Sequence, residues 1–209
     1  MTPSGARAAR AAGDRWRQVH PATFIEETRE HDGSPPMGHG DPRCWSPAGW
    51  RWREANAVVA PRFLRRVDGQ WRQRVFGQWQ ALPLAAPAVH LAWFEADACC
   101  RRAGCRLPSE AEWEAIAIEA GAVELAAGDE RRFHWGAVGE WTASRFVPYA
   151  GFRAHPYRGY SAPWSASRFV LRGARHATAP EMAHPRYRNF FTPERDEIFS
   201  GCRSCAVGG

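Results

Sequence analysis

A chain this poor in aliphatic residues must build its interior from aromatic rings. Leu, Ile, Val and Phe together supply 33 of 209 residues, about 16%, which in company with high net charge is the composition of a disordered chain. Against that stand 11 Trp, 11 Phe and 4 Tyr, and each such ring buries roughly 150–250 Å². Rings in that number predict a folded chain whose core is made of large side chains set in irregular backbone. The length suits one domain of ordinary size.

Charge narrows the partners. All 28 basic residues are Arg, and the formal net charge is +6. Arg is spread along the whole chain with Asp and Glu interleaved, unlike the clustered footprint of a nucleic-acid binder, so nucleic acid is not an expected partner. No run of about 18 apolar residues offers a membrane span. Residues 1–19 are rich in Ala and Arg and carry no apolar core of a secretory signal, which predicts a cytoplasmic protein with reduced thiols. Six Cys occur, at 44, 99, 100, 105, 202 and 205. Cys202 and Cys205 have the spacing of a redox pair or half a zinc site. Cys99, Cys100 and Cys105 do not provide a matching second half, so all six are read as ordinary thiols.

Local pattern gives an α+β chain. Residues 1–19 read as a flexible basic tail and 20–206 as the domain. Thr23 and Glu26 form a capping box that opens a short helix ending at Asp32-Gly33. From Ser34 to Ala88, Pro and Gly punctuate an aperiodic stretch in which Trp45, Trp50 and Trp52 plug a loop-built core. Within it, Gly69 to Gly77 alternates weakly, as a hairpin strand would. Val89 to Trp93 reads as a short strand leading into a helix over Phe94–Ala103, stopped by Gly104. Ser109 and Glu112 form a second capping box for a helix running to Ala120, with Trp113, Ile116, Ala117 and Ala120 toward the core. Short strands and turns follow from Phe133.

Several segments in one order carry a resemblance. They are Pro87 to Ala98, Cys105-Arg-Leu-Pro-Ser-Glu-Ala-Glu-Trp-Glu114, Gly139-Glu-Trp-Thr-Ala-Ser144, Val170-Leu-Arg-Gly173, Tyr187-Arg-Asn-Phe-Phe191 and Ile198-Phe-Ser-Gly-Cys-Arg203. Together they resemble the formylglycine-generating-enzyme (sulfatase-modifying-factor) domain. That resemblance implies a variant of the C-type-lectin-like fold, loop-rich, with a few short helices and small antiparallel sheets. Pro148-Tyr-Ala-Gly-Phe152, Tyr157-Arg-Gly-Tyr-Ser161 and Tyr187 to Phe191 are similar to one branch of it, the ergothioneine-type sulfoxide synthases and selenoneine synthases. Those enzymes use non-haem iron and O₂ to join a sulfur or selenium donor to histidine betaine. In that branch Fe(II) is held by three His of an N-terminal DinB-like helical bundle, and the lectin-like domain contributes substrate contacts. No H-x3-H-x-E arrangement occurs in this sequence, and no two of its eight His stand at i, i+4. The resemblance therefore implies the substrate-binding half, with no metal ligand set of its own and with iron supplied by a DinB-like partner.

Site residues follow from the same resemblance. Tyr149 matches the family's active-site tyrosine, with Ala150 in place of a proline; a phenol there can pass a proton or an electron to an iron–oxygen species. Asn189 matches a substrate-contacting Asn, whose amide donates and accepts. Phe190 matches an aromatic that packs on an imidazole or trimethylammonium face. Phe191 stands where relatives using γ-glutamylcysteine carry Asp, which argues against that donor and leaves cysteine or a selenosugar. Arg172, Arg188 and Arg203 follow family arginines and are read first as ion-pairing residues, with Arg188 also placed among the substrate-binding residues. His155 is read as part of a surface turn. Departures from the pattern include Gly139 for a Trp and Cys202 for a Phe, so the core has either repacked or lost packing. Two other functions stay open: a non-catalytic lectin-like binding module or remnant, and formylglycine generation, against which residues 145–198 contain no Cys.

Overall fold

Local chemistry sets the helices. In the computed structural model, which describes residues 17–19, 39–120, 135–157, 164, 166–175 and 177–207, Ser46 accepts a hydrogen bond from the Gly49 N–H and opens α1, Pro47–Ala55, with Pro47 at its first position. A proline there gives up no helical hydrogen bond. This stretch was expected to be loop, and the same Pro and Gly that suggested loop begin a helix instead. Helix α2, Trp93–Arg102, starts where Glu95 reaches back to the Ala92 N–H at 2.9 Å. It ends at Gly104, which takes φ +64°. Helix α3, Glu110–Ala120, has the predicted capping box in full: Ser109 Oγ accepts from the Glu112 N–H, and the Glu112 carboxylate accepts from the Ser109 N–H.

The strands form two sheets. A three-stranded meander of β2 (Leu64–Val67), β3 (Gln70–Val75) and β4 (Gln78–Ala81) turns at Asp68-Gly69 and Phe76-Gly77, each pair at positive φ as tight hairpins require. The strand expected between Gly69 and Gly77 is β3. The larger sheet joins β1 (Arg17–Gln18), β5 (Cys105–Arg106), β6 (Gly139–Arg145), β7 (Phe169–Arg172), β8 (Arg188–Phe191) and β9 (Ser200–Ala206). Its strands lie in the order β1-β9-β6-β7-β8, with β5 also on β9. Every pair is antiparallel except β6 with β9, which run parallel from Gly139 beside Ser200.

Two expectations need correction here. Residues 17–19 belong to the sheet and not to a tail: Arg17 and Gln18 pair with Ser204 and Arg203, and Val19 is buried with its N–H on the Cys202 carbonyl. Val89 to Trp93 forms no strand, because His90 takes φ +62° and breaks the extended run after Ala88 has bonded Val19. The helix expected from Thr23 lies outside the described residues.

One helix covers each face of the larger sheet. Ala96, Cys99 and Cys100 of α2 pack with Trp141, Phe169, Leu171 and Cys202. Trp113, Ile116 and Ala117 of α3 pack on the other face with Cys205, Ala174 and Trp135. Cys202 and Cys205, three apart on one strand, therefore point to opposite faces. That geometry makes them neither a redox pair nor half a metal site, and all six cysteines are thiols. Where Gly139 replaces a Trp, the space is filled: a Cβ there would stand 3.1 Å from Leu171 Cδ2 and 3.6 Å from the Phe199 carbonyl. The core has repacked at this position.

Candidate functional site

The α3 face of the larger sheet gathers the charge. Arg172 on β7 and Arg188 on β8 are direct cross-strand partners, so their side chains leave the sheet on the same side, toward Glu110 and Glu114 one turn apart on α3. Arg188 meets Glu110 as a fork, Nε to Oε2 at 3.0 Å and Nη2 to Oε1 at 2.9 Å. Arg172, 1% exposed, gives Nη2 to Glu114 at 2.6 Å and Nη1 to the Pro185 carbonyl at 3.2 Å. The ion pairing anticipated for these arginines is present in both.

Tyr149 lies over this network, in the connection between β6 and β7. The Phe152 N–H bonds the Tyr149 carbonyl at 3.0 Å, and Gly151 takes φ +82°. That φ suits the third position of a type II turn, where glycine carries no steric penalty. The turn thus forms with Ala150 at its second position. Arg188 Nη2 holds the chain leading into it through the Val147 carbonyl at 3.2 Å. The phenol oxygen accepts from Arg172 Nη2 at 3.1 Å, and the Arg188 guanidinium stands 4.3 Å over the ring. The rest of the ring faces out, and Tyr149 is 58% exposed.

Strand alternation divides the predicted residues. Arg188 and Phe190 share the α3 face with Tyr149, and Phe190 stacks on Phe146 with centroids 3.9 Å apart. Arg188 also lies 4.8 Å over Phe146. This aromatic stack is thus already occupied by a protein cation and a second ring. Asn189 and Phe191 point to the other face, where Phe191 packs against the α2 core and Asn189 Oδ1 accepts from the Phe190 N–H at 2.9 Å. So the structure unites Tyr149, Arg188 and Phe190, and sets Asn189 and Phe191 apart from them. His155 accepts from the Tyr157 N–H in an exposed turn, as read from the sequence.

Sequence reasoning missed the part played by Glu110 and Glu114. Their position in the first turn of α3 suggested only a favourable charge at a helix start. Their partners lie 78 and 58 residues further along, so no local pattern announces them. It also missed a separate cleft of about 550 Å³ bordered by Trp52, Arg62, Glu95, Glu194, Asp196 and Glu197. Burial pushes the Asp196 carboxyl above its ordinary range there, against the pull of Arg62. None of the predicted site residues borders this cleft.

Iron does not fit the described residues. Among them no group of three or more His, Cys, Asp or Glu is arranged to hold a metal ion. His39 is buried against Glu95, and His90 stacks on Phe63 with Phe199 tilted against it. His155 and His184 each accept a backbone N–H two residues on. Among the described residues no helix is long and apolar enough to cross a membrane.

Comparison with known proteins places this architecture. Residues 22–137 match the family model of the sulfatase-modifying factor enzyme 1-like domain. A protein of Mycolicibacterium smegmatis named hercynine oxygenase is 35% identical over 79% of this chain and 47% of its own length. One of the same name from Mycobacterium tuberculosis is 33% identical over 79% and 47%. The chain thus spans about half the length of the curated relatives it matches. Among solved structures, the Major Tropism Determinant M1 variant overlaps loosely, at a TM-score of 0.38 and 16% identity over 72% of this chain and 53% of its own. The observed architecture is α+β and loop-rich, as the resemblance implied, and the family match covers more than half of the sequence. The chain belongs to the sulfatase-modifying factor enzyme 1-like domain family, the formylglycine-generating-enzyme type of C-type-lectin-like fold.

Proposed function

We propose that this chain is the substrate-binding domain, running from the β1 strand to about residue 206, of a hercynine-oxygenase-like enzyme that joins a sulfur or selenium donor to histidine betaine. One observation carries the reading. Tyr149, which the resemblance matches to the family's active-site tyrosine, is exposed and held by two arginines, in a chain 35% identical, over 79% of its length, to a hercynine oxygenase. Tyr149 is the residue that meets the reacting centre, where its phenol offers a proton. Arg188 and Phe190 shape the wall beside it; Asn189, whose Oδ1 is taken by the Phe190 N–H, offers its amide nitrogen from the opposite face of β8, where Phe191 packs against the α2 core. Fe(II) enters this reading through ligands outside the described residues, from a DinB-like helical bundle, so no step is routed through it. A thiol or selenol donor and a cytoplasmic setting complete the proposal.

The arrangement constrains the ligand. Since Arg188 covers one face of the Tyr149 ring, a trimethylammonium group has the opposite, solvent-facing side to pack on. Calorimetry of the chain with histidine betaine tests this directly. Binding weakened by Tyr149→Phe and by Asn189→Ala is the expected result. Binding that neither substitution alters makes the domain a module whose ligand lies elsewhere, and no binding at all, with no iron-bearing bundle co-purifying, rejects the reading.

A further inference from the structure

We propose that Arg172 is a positioning residue for Tyr149, fixing the phenol so that its hydroxyl proton points outward to a ligand; this rests on Tyr149 being the group that meets substrate. An exposed tyrosine ordinarily samples several rotamers and lets water choose its hydrogen bonds. Tyr149 is 58% exposed, yet its oxygen is bound by a side chain that is itself 1% exposed. A buried anchor for an exposed tip is the arrangement that requires an explanation.

Donor chemistry supplies the direction. A guanidinium only donates hydrogen bonds, so the 3.1 Å contact from Arg172 Nη2 occupies a lone pair of the phenol oxygen. The phenol proton must then lie away from Arg172. Among the described residues the Tyr149 hydroxyl donates to none, and the proton is left for a group from outside. Had a carboxylate taken the place of Arg172, the proton would point inward and the same ring would face a ligand as an acceptor.

Arg172 is itself unable to turn away. Its backbone is in register between Glu140 on β6 and Arg188 on β8, its Nη2 is 2.6 Å from Glu114, and its Nη1 is on the Pro185 carbonyl. Arg188 adds a second restraint of a different kind, lying 4.3 Å over the ring face while tied to Glu110 by two bonds. One arginine thus fixes the phenol oxygen and the other the ring plane. Both are carried by adjacent strands and both are neutralised by one helix. Functional groups held on rigid elements in this way are positioned more closely than groups on free loops.

The test reads the tyrosine itself, in the full chain and without ligand. With 3-fluorotyrosine at all four tyrosines, fluorine NMR gives separate lines, and Tyr149→Phe assigns one of them. Arg172→Gln is expected to shift and broaden the Tyr149 line while the other three stay in place. Arg172→Lys, which keeps the charge but has one nitrogen in place of Nη1 and Nη2, is expected to move it the same way. A folded Arg172→Gln chain with an unmoved Tyr149 line overturns the proposal. If that variant fails to fold, Glu114→Gln, which loosens Arg172 from the helix, carries the test by the same criterion. A line that moves in a chain showing no heat with histidine betaine supports the positioning role and rejects the functional reading, so the two stand or fall separately.

Discussion

Glu140 and Arg203 meet inside the protein, Nη2 to Oε1 at 3.0 Å and Nε to Oε2 at 3.1 Å, with side chains 1% and 4% exposed. Trp113 Nε1 donates to the same carboxylate at 2.7 Å. Three separate sequence segments that carry the family resemblance therefore converge on one buried carboxyl group. Removing one member leaves a buried charge without its partner, at about 3–5 kcal/mol. That is a large part of the roughly 5–15 kcal/mol by which a domain is stable. Arg203→Met should therefore unfold in much less urea than wild type, and Glu140→Leu with Arg203→Met together should recover only part of the loss, because the buried Trp113 N–H then loses its acceptor. A single variant as stable as wild type would refute the assignment.

The start of α3 should respond to acid. Arg106 forks the Glu112 carboxylate at 2.7 and 2.9 Å, and with the two Ser109 bonds this outweighs burial and holds Glu112 at about 2, against 4.5 ordinarily. A carboxyl depressed in the folded state stabilises the protein above its unfolded pKa, and that contribution fades as pH falls from about 4.5 through about 2. Both side chains are more than a third exposed, so solvent screening reduces the contribution to on the order of 1 kcal/mol. Urea unfolding of wild type and Arg106→Gln should differ by about that much at pH 7 and converge toward pH 2. A difference independent of pH would mean that the fork is not its source.

Two glycines should separate by what surrounds them. At Gly201 a Cβ would stand 2.5 Å from the Ala88 carbonyl oxygen and 2.9 Å from Val138 Cγ2. Backbone cannot yield as a side-chain tip can, so Gly201→Ala should destabilise by about 1–3 kcal/mol or more. Gly139→Ala meets the end of the Leu171 side chain at 3.1 Å and should be milder. Thermal melts of the two variants rank them, and the reverse order would contradict the packing described.

Thiol reactivity should follow burial. Burial pushes the Cys205 thiol up to about 12, and a hydrogen bond with Cys100, together with burial, raises Cys202. The thiolate is the reactive form, so both are inert at neutral pH in the folded chain. Cys105, half-buried, should be alkylated first when native protein meets iodoacetamide at pH 8. Peptide mass spectrometry reads the order. Early labelling of Cys202 or Cys205 would show that β9 opens more readily than its packing allows.

Legibility in the sequence tracked the range of the interaction. Ser109 and Glu112 are three residues apart, and their capping box was read correctly with the helix it opens. Helix α1 was not, because Pro47 and Gly49 are loop residues by composition and only the Ser46 cap beside Pro47 distinguishes a helix start. The strand expected at Val89 to Trp93 failed at His90, whose left-handed backbone no composition rule foresees. Glu110 and Glu114 could be placed on a helix face from sequence, but Arg172 and Arg188 come to them only through the order in which β7 and β8 enter the sheet. The division of Asn189 and Phe191 from Arg188 and Phe190 did follow from a period of two once β8 was known to be a strand.

Strand β9 pairs with β1, β5 and β6, all of which precede it in sequence. None of those pairings can form during synthesis until residues 200–206 have emerged. The sheet closes around its centre last, so the rings that replace an aliphatic core stay wet until then. Contacts of such long sequence separation fold slowly. Until then Trp141 and Phe169, which pack with Cys202 of β9, lack part of their cover, and the nascent chain is at its most adhesive just before β9 enters the sheet.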